Sequence, residues 1–173
     1  MNTAMNSELK IQSMSHAPAR RPRYKSSIVH RHRPRVLFVE DDPDDQWLIG
    51  EAAKVVDIFE ASVVSDGYDL LKLLQQALAD RFAPSPASLI VLDLAMPQVD
   101  GFTVLRRLEA HSVWAQIPVV VLSSTDNPFY ARFCETAGAA GYFIKPPGFH
   151  QFCQLMSHLE RYLTHPPPPL SVV

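Results

Sequence analysis

Four short runs of consecutive apolar residues, each ending abruptly in polar or charged groups, constrain this chain more than any other feature. They are Val36-Leu37-Phe38-Val39, Leu89-Ile90-Val91-Leu92, Val119-Val120-Val121-Leu122 and Gly141-Tyr142-Phe143-Ile144. Unbroken apolarity over four residues, without alternation, is the mark of a strand covered on both faces. Phe59 to Val64 reads as a fifth strand. The stretches between carry helical spacing. Trp47, Leu48, Ala52, Val55 and Val56 predict a helix starting near Pro43, a first-turn position that tolerates proline. Leu70, Leu71, Leu73, Leu74, Ala77 and Leu78 predict a second, and Phe102, Val104, Leu105 and Leu108, just after Gly101, a third. Residues 128–137 predict a fourth, and Phe149, Phe152, Leu155, Met156, Leu159 and Leu163 a fifth. Five strands alternating with five helices imply an α/β fold, a doubly wound parallel sheet covered on both faces.

A chain of 173 residues with 47% apolar residues holds one ordinary domain. Up to Arg35 eight Lys and Arg face one acid, Glu8; from Val36 onward the other eight basic residues meet seventeen acids. An acidic body therefore follows a basic N-terminal segment. Residues 1–34 show no helical or strand period and are rich in Ser, Arg, His and Pro, so they read as a disordered tail. Met5 and Met14 are alternative starts within it. Residues 165–173 open on a proline run, read as extended. Cys134 and Cys153 read as small apolar residues in a reducing compartment rather than a disulfide framework. The chain has no run of eighteen apolar residues to span a membrane, and its start lacks the apolar core of a signal peptide, so a soluble cytoplasmic protein is expected.

Parallel sheets of this kind place their chemistry in loops at the carboxyl ends of the strands. Glu40, Asp41, Asp42, Asp44 and Asp45 follow the first strand, Asp93 the third, Ser123, Ser124 and Thr125 the fourth, and Lys145-Pro146 the fifth. Each group alone is unremarkable as a solvated loop or helix cap. Together, in this order, they form one constellation. Carboxylates brought together repel unless a cation neutralises them, and oxygen donors with no Cys or His nearby suit Mg²⁺. Lys145 can pair with phosphoryl oxygens and a Ser hydroxyl can donate to another. A carboxylate nucleophile, a metal and fixed positive charge are what phosphoryl transfer requires. Asp42, just before Pro43, reads as a helix N-cap rather than a ligand.

Val39-Glu40-Asp41-Asp42, then Leu92-Asp93-Leu94-Ala95-Met96-Pro97 with Asp100-Gly101, then Ser123, then Lys145-Pro146, resemble the receiver domains of bacterial two-component response regulators. The similarity covers about residues 34–164, with the domain at 35–164. It implies a flavodoxin-like strand order 2-1-3-4-5 and a phosphoacceptor at Asp93. It implies Mg²⁺ bound by Glu40, Asp41, Asp93 and the Ala95 carbonyl, with Asp41 a direct ligand. Ser123 and Lys145 would contact the phosphoryl group, and Ser123 and Tyr142 would form the switch that repacks the fourth-helix surface. Histidine kinases or phosphotransfer proteins are the implied donors. The chain would be a phosphoacceptor rather than an enzyme, with weak self-dephosphorylation. No output domain is read after the last helix, so a stand-alone regulator signalling to a downstream protein is expected.

The run Glu40-Asp41-Asp42-Pro43-Asp44-Asp45 and the connection Ala79–Ala87 are similar to stand-alone receivers near the cyanobacterial phytochrome response regulator. That resemblance implies a homodimer through the fourth helix, fifth strand and fifth helix, near Phe129, Tyr130 and Phe133. Two residues depart from the usual pattern. Pro147 stiffens the turn after Lys145, and Ala95 replaces a polar residue, which implies slow loss of the phosphoryl group. Two rival readings are a degenerate receiver acting as a scaffold and a nucleic-acid or membrane-surface binder working through the basic tail.

Overall fold

The computed structural model describes residues 33–79, 85–97 and 99–164. The basic segment up to residue 32, the proline run from 165 and the middle of the Ala79–Ala87 connection lie outside the described residues. The described chain runs β1 (Arg35–Val39), α1 (Pro43–Val56), β2 (Glu60–Val64), α2 (Gly67–Ala79), β3 (Leu89–Asp93), α3 (Gly101–Ala110), β4 (Val119–Ser123), α4 (Pro128–Thr136), β5 (Gly141–Ile144) and α5 (Phe149–Thr164). A short 3₁₀ turn, Trp114–Gln116, lies between α3 and β4. All five strands are parallel, in the order β2-β1-β3-β4-β5.

The apolar runs fill both faces by alternation. Leu37, Val39, Ile90, Leu92, Val119, Val121 and Tyr142 pack with α2, α3 and α4 residues such as Leu70, Leu105 and Cys134. Val36, Phe38, Leu89, Val91, Val120, Leu122 and Phe143 pack with α1 and α5 residues such as Ile49, Phe152 and Leu159. This two-sided burial explains why β1, β3, β4 and β5 show no alternation in sequence. The expectation that every strand is covered on both faces is corrected at β2. It is the edge strand, paired with β1 alone, and Glu60, Ser62 and Val63 are exposed.

The apolar stripe expected on α1 is also corrected. Its buried residues are Ile49, Ala52 and Ala53, whereas Trp47 and Val55 are each 66% exposed. Trp47 sits three residues after Asp44 and four before Glu51, so the helical period places it on the acidic, solvated face. Both cysteines are free, and Cys134 is fully buried in the core as expected of a small apolar side chain. Arg33 and Pro34, assigned to the tail, already touch the body: Arg33 forks onto Asp57, and the Pro34 carbonyl accepts from the Glu60 amide at 2.9 Å.

This topology positions the site. From β1 the chain crosses to β2 on one side and later returns to β3 on the other, so a crevice opens between the carboxyl ends of β1 and β3. Glu40 and Asp41 leave β1 at that point, and Asp93 is the last residue of β3.

Candidate functional site

Each side chain here is placed by the element it ends. Glu40 follows β1 directly; its amide donates to the Val64 carbonyl at 3.0 Å and its own carbonyl accepts from Gln46 Nε2 at 2.7 Å. Its carboxylate is turned inward and 2% exposed, accepting from the Asp42 amide at 3.2 Å. Asp42 does what a cap does: Oδ1 accepts from the amides of Asp44 (2.8 Å) and Asp45 (3.2 Å), closing the first turn of α1. Asp93 is 4% exposed, and its Oδ1 accepts from the Ala95 amide at 3.1 Å. Gly101 lets the β3–α3 connection fold back on itself. A Cβ there would lie 2.2 Å from the Asp93 carbonyl oxygen and 2.6 Å from Leu94 Cα. Asp100, capping α3, accepts from the Thr103 amide at 3.0 Å.

Lys145 ties the acids together. Its Nζ lies 2.8 Å from Glu40 Oε2, 2.7 Å from Asp45 Oδ2 and 2.9 Å from Asp93 Oδ2. The Lys145 amide donates to the Ser123 carbonyl at 2.8 Å, which continues the β4–β5 pairing past the end of β5 and aims the side chain across the sheet. Burial alone would lower the Lys145 pKa, but hydrogen bonds to Asp45, Glu40 and Asp93 reverse this and hold it above its ordinary value. Burial drives Glu40 the other way from its usual range, up to about 7, with Lys145 opposing the rise.

Ligand atoms of Glu40, Asp41 and Asp93 all lie within 4.8 Å of one another. These are oxygen donors, two of them buried, with a single ammonium against them, and that donor set fits a hard divalent cation such as Mg²⁺. Ala95 is exposed beside Asp93 and contributes its amide to that carboxylate. Ser123 is buried; its Oγ accepts from the Thr125 amide at 3.4 Å, a long contact. Tyr142 points into the core, and its hydroxyl donates to the Thr125 carbonyl at 2.8 Å. Burial holds its phenol above the ordinary pKa. Thr125 thus touches both residues expected to form the switch.

Thus Glu40, Asp41, Asp93 and Lys145 converge, and Ser123 and Tyr142 meet one loop away. The residue that sequence reasoning passed over is Asp45, noted as one of five acids after β1 and given no role. Its signal was helical phase: three residues past the cap, it stands in the first turn facing the β5 end. The aromatics Phe129, Tyr130 and Phe133 are neither core nor fully free. Phe129 is 69% exposed, while Phe102 holds Tyr130 and Phe133 at ring-centroid distances of 5.5 and 5.1 Å.

A sequence model of the response regulator receiver domain matches residues 36–157. Over 130 residues the chain is 30% identical to the two-component response regulator-like protein APRR9 of Arabidopsis thaliana, covering 75% of this chain and 26% of that protein. It is 33% identical over 117 residues to the DNA-binding dual master transcriptional regulator RpaA of Synechocystis, covering 65% and 43%. The chain therefore spans less than half the length of these two relatives. Among solved structures, the cyanobacterial phytochrome response regulator RcpA superposes with a TM-score of 0.67 at 29% identity, over 80% of this chain and 99% of that one. The response regulator Rcp1 gives 0.65 at 26%, over 81% and 97%.

Proposed function

This chain belongs to the response regulator receiver family of two-component signalling, and we propose that within it Asp93 is the residue that accepts the phosphoryl group. The observation that carries the reading is the convergence on one carboxylate. Asp93 is buried, lies 2.9 Å from the Lys145 ammonium and shares a group of oxygen donors with Glu40 and Asp41. In the step proposed, an Asp93 carboxylate oxygen forms a bond to phosphorus as the phosphorus–nitrogen bond to a donor imidazole breaks. The imidazole leaves with the electron pair and takes up a proton. Lys145 is placed to donate to the phosphoryl oxygens, and burial strengthens that pairing. Ser123, at the end of the neighbouring strand, supplies a hydroxyl for another oxygen.

Glu40, Asp41 and Asp93, with the Ala95 carbonyl, would hold Mg²⁺, which when bound neutralises the carboxylates and the incoming oxygens. Rcp1 was crystallised in a Mn(2+)-bound form and RcpA in a phosphorylated form, which supports the same chemistry here. Tyr142 and Ser123, joined through Thr125, would relay the change to α4. The donor is a histidine kinase or phosphotransfer protein and the output a protein contact. The exposed Phe129, Tyr130 and Phe133 make α4, with β5 and α5, the face proposed for a homodimer. No described helix is long and apolar enough to cross a membrane. The protein acts as a phosphoacceptor, with slow self-dephosphorylation, rather than as an enzyme.

The test is Asp93→Asn, which keeps shape and removes the nucleophile. It is expected to abolish labelling by acetyl phosphate in Mg²⁺ with an unchanged circular dichroism spectrum. Labelling at the wild-type rate would place the acceptor elsewhere.

A further inference from the structure

Asp45 belongs to no strand end and is not among the acids grouped with Asp93. It is nevertheless the nearest partner of Lys145, at 2.7 Å against 2.8 Å for Glu40 and 2.9 Å for Asp93. An ammonium has three N–H donors, and here three carboxylates take them. The pair spans one hundred positions of sequence, so it is made by the fold and not by local geometry. The Lys145 and Asp45 side chains are 15% and 29% exposed, and the bond is shielded enough to matter. Asp42 fixes it from behind, since its cap onto the Asp44 and Asp45 amides sets the turn that carries the Asp45 carboxylate toward β5.

We propose that Asp45 is a restraining residue, which holds the Lys145 ammonium in competition with an incoming phosphoryl group and so sets how readily Asp93 is phosphorylated. The proposal rests on the reading of Asp93 as acceptor. Glu40 and Asp93 also belong to the group that would bind a cation, so their hold on Lys145 weakens in the state that takes a phosphoryl group. Asp45 stands outside that group and its hold persists. With acetyl phosphate as donor, an Asp93 oxygen bonds to phosphorus as the bond from phosphorus to the acetate oxygen breaks, and acetate leaves with the electron pair. The remaining phosphoryl oxygens bring negative charge beside Lys145. To meet it, Lys145 must swing toward those oxygens, and the bond to Asp45, the one that still holds it, opposes that movement.

The experiment uses the full chain with Asp45→Asn, Asp45→Glu, Asp44→Asn, Lys145→Met and the double variant Asp45→Asn/Lys145→Met. The first readout is the initial rate of labelling by acetyl phosphate in Mg²⁺. Asp45→Asn is expected to label roughly threefold to tenfold faster, the scale of one partly exposed charged hydrogen bond. Asp44→Asn has the same charge change without the contact, and Asp45→Glu keeps the charge; both should stay within about twofold of wild type. Asp45→Asn should add nothing once Lys145 is Met, which a role in helix stability would not predict. The second readout needs neither phosphate nor metal. It is the rate of reductive methylation of Lys145 by formaldehyde and cyanoborohydride in EDTA, followed on the tryptic peptide. Freed of one partner, Lys145 should react roughly threefold faster in Asp45→Asn. Equal or slower labelling in Asp45→Asn, with wild type labelled and Asp93→Asn blank, overturns the restraint alone. Unchanged Lys145 reactivity overturns it as well. Labelling of Asp93→Asn, by contrast, overturns the acceptor reading itself, and with it any role of Asp45 in setting that reaction.

Discussion

The two ends of the sheet are built on opposite principles. At the amino end charge stays in water and backbone groups pair with one another. Ser88 and Arg35 exchange bonds, the Ser88 amide to the Arg35 carbonyl at 2.7 Å and the Arg35 amide to Ser88 Oγ at 3.3 Å. The Glu60 and Ile90 amides reach the carbonyls of Pro34 and Pro118 at 2.9 and 3.0 Å. The Arg33–Asp57 fork there is exposed. At the carboxyl end the same strands deliver Glu40, Asp93 and Lys145 into a buried group, held by ion pairs within it and to Asp45 and by bonds from the Asp42 and Ala95 amides. Replacing buried ion groups by neutral ones is often neutral or stabilising, whereas backbone pairing at a closed end has no cheaper substitute. The difference teaches that the carboxyl end is arranged for chemistry and leans on the amino end and the two apolar faces for stability.

The largest effect should separate the ends by glycine. An added methyl at Gly101 meets backbone alone, the Asp93 carbonyl oxygen at 2.2 Å and Leu94 Cα at 2.6 Å. Nothing there can swing aside, so Gly101→Ala is expected to lose about 3 kcal/mol or more and to displace Asp93. At Gly141, the first residue of β5, the clash is with the far end of a side chain, the Tyr162 hydroxyl at 2.2 Å. That ring can tilt, giving up the Arg161 Nη2 bond at 2.8 Å, and the loss should be about 1–2 kcal/mol. Urea denaturation of both variants decides; equal losses would break the contrast.

A smaller effect tests whether buried charge opposes the fold. Burial raises the Glu40 pKa from an ordinary 4.5 to about 7 in the folded protein. A raised folded pKa means that the folded state binds the proton more tightly. The contribution is fully present below pH 4.5 and is lost as the pH rises to about 7. Metal-free protein above that pH holds a charged, buried carboxylate. Glu40→Gln cannot titrate, so in EDTA its stability relative to wild type should grow between those values, reaching at most about 3 kcal/mol above pH 7. A gap that stays flat with pH would mean that pairing with Lys145 already offsets the burial.

The two ends also differed in how legible they were. The strands could be read because two-sided burial erases alternation, and the acids because they follow the apolar runs with no spacer. Strand order came with the family resemblance, since no periodicity in β1 or β3 says which neighbour each will take. Trp47 and Val55 were misread because apolarity alone cannot set the phase of a short helix; the Asp42 cap sets it, and it turns both residues to solvent. Asp45 was passed over for a related reason. In five acids among six residues, only the turn geometry singles out the one that reaches Lys145. Phe129, Tyr130 and Phe133 left core and surface equally open: Tyr130 and Phe133 lean on Phe102 while part of each stays exposed, and Phe129 is exposed.

The smallest effect concerns an acid at the carboxyl end that stabilises it. Asp42 lies between Asp41 and Asp44 in sequence yet is absent from the grouped ligand atoms. It is exposed, so its charge is not opposed by burial, and it accepts two amides that α1 would otherwise leave unpaired. Asp42→Ala should therefore lose about 1 kcal/mol, the ordinary worth of such a cap. Asp42→Asn keeps an accepting oxygen and should recover most of that loss. The two variants also separate capping from metal binding. Asp42→Asn should bind Mg²⁺ within about twofold of wild type by Trp47 fluorescence, the small change left by removing one exposed charge. Asp41→Ala, which deletes a grouped ligand atom, should lose most of that affinity. If Asp42→Asn lost Mg²⁺ affinity as Asp41→Ala does, Asp42 would count among the ligands. Capping at that end would then rest on acids outside the group, such as Asp100 on α3, and its contrast with the amino end would be sharper still.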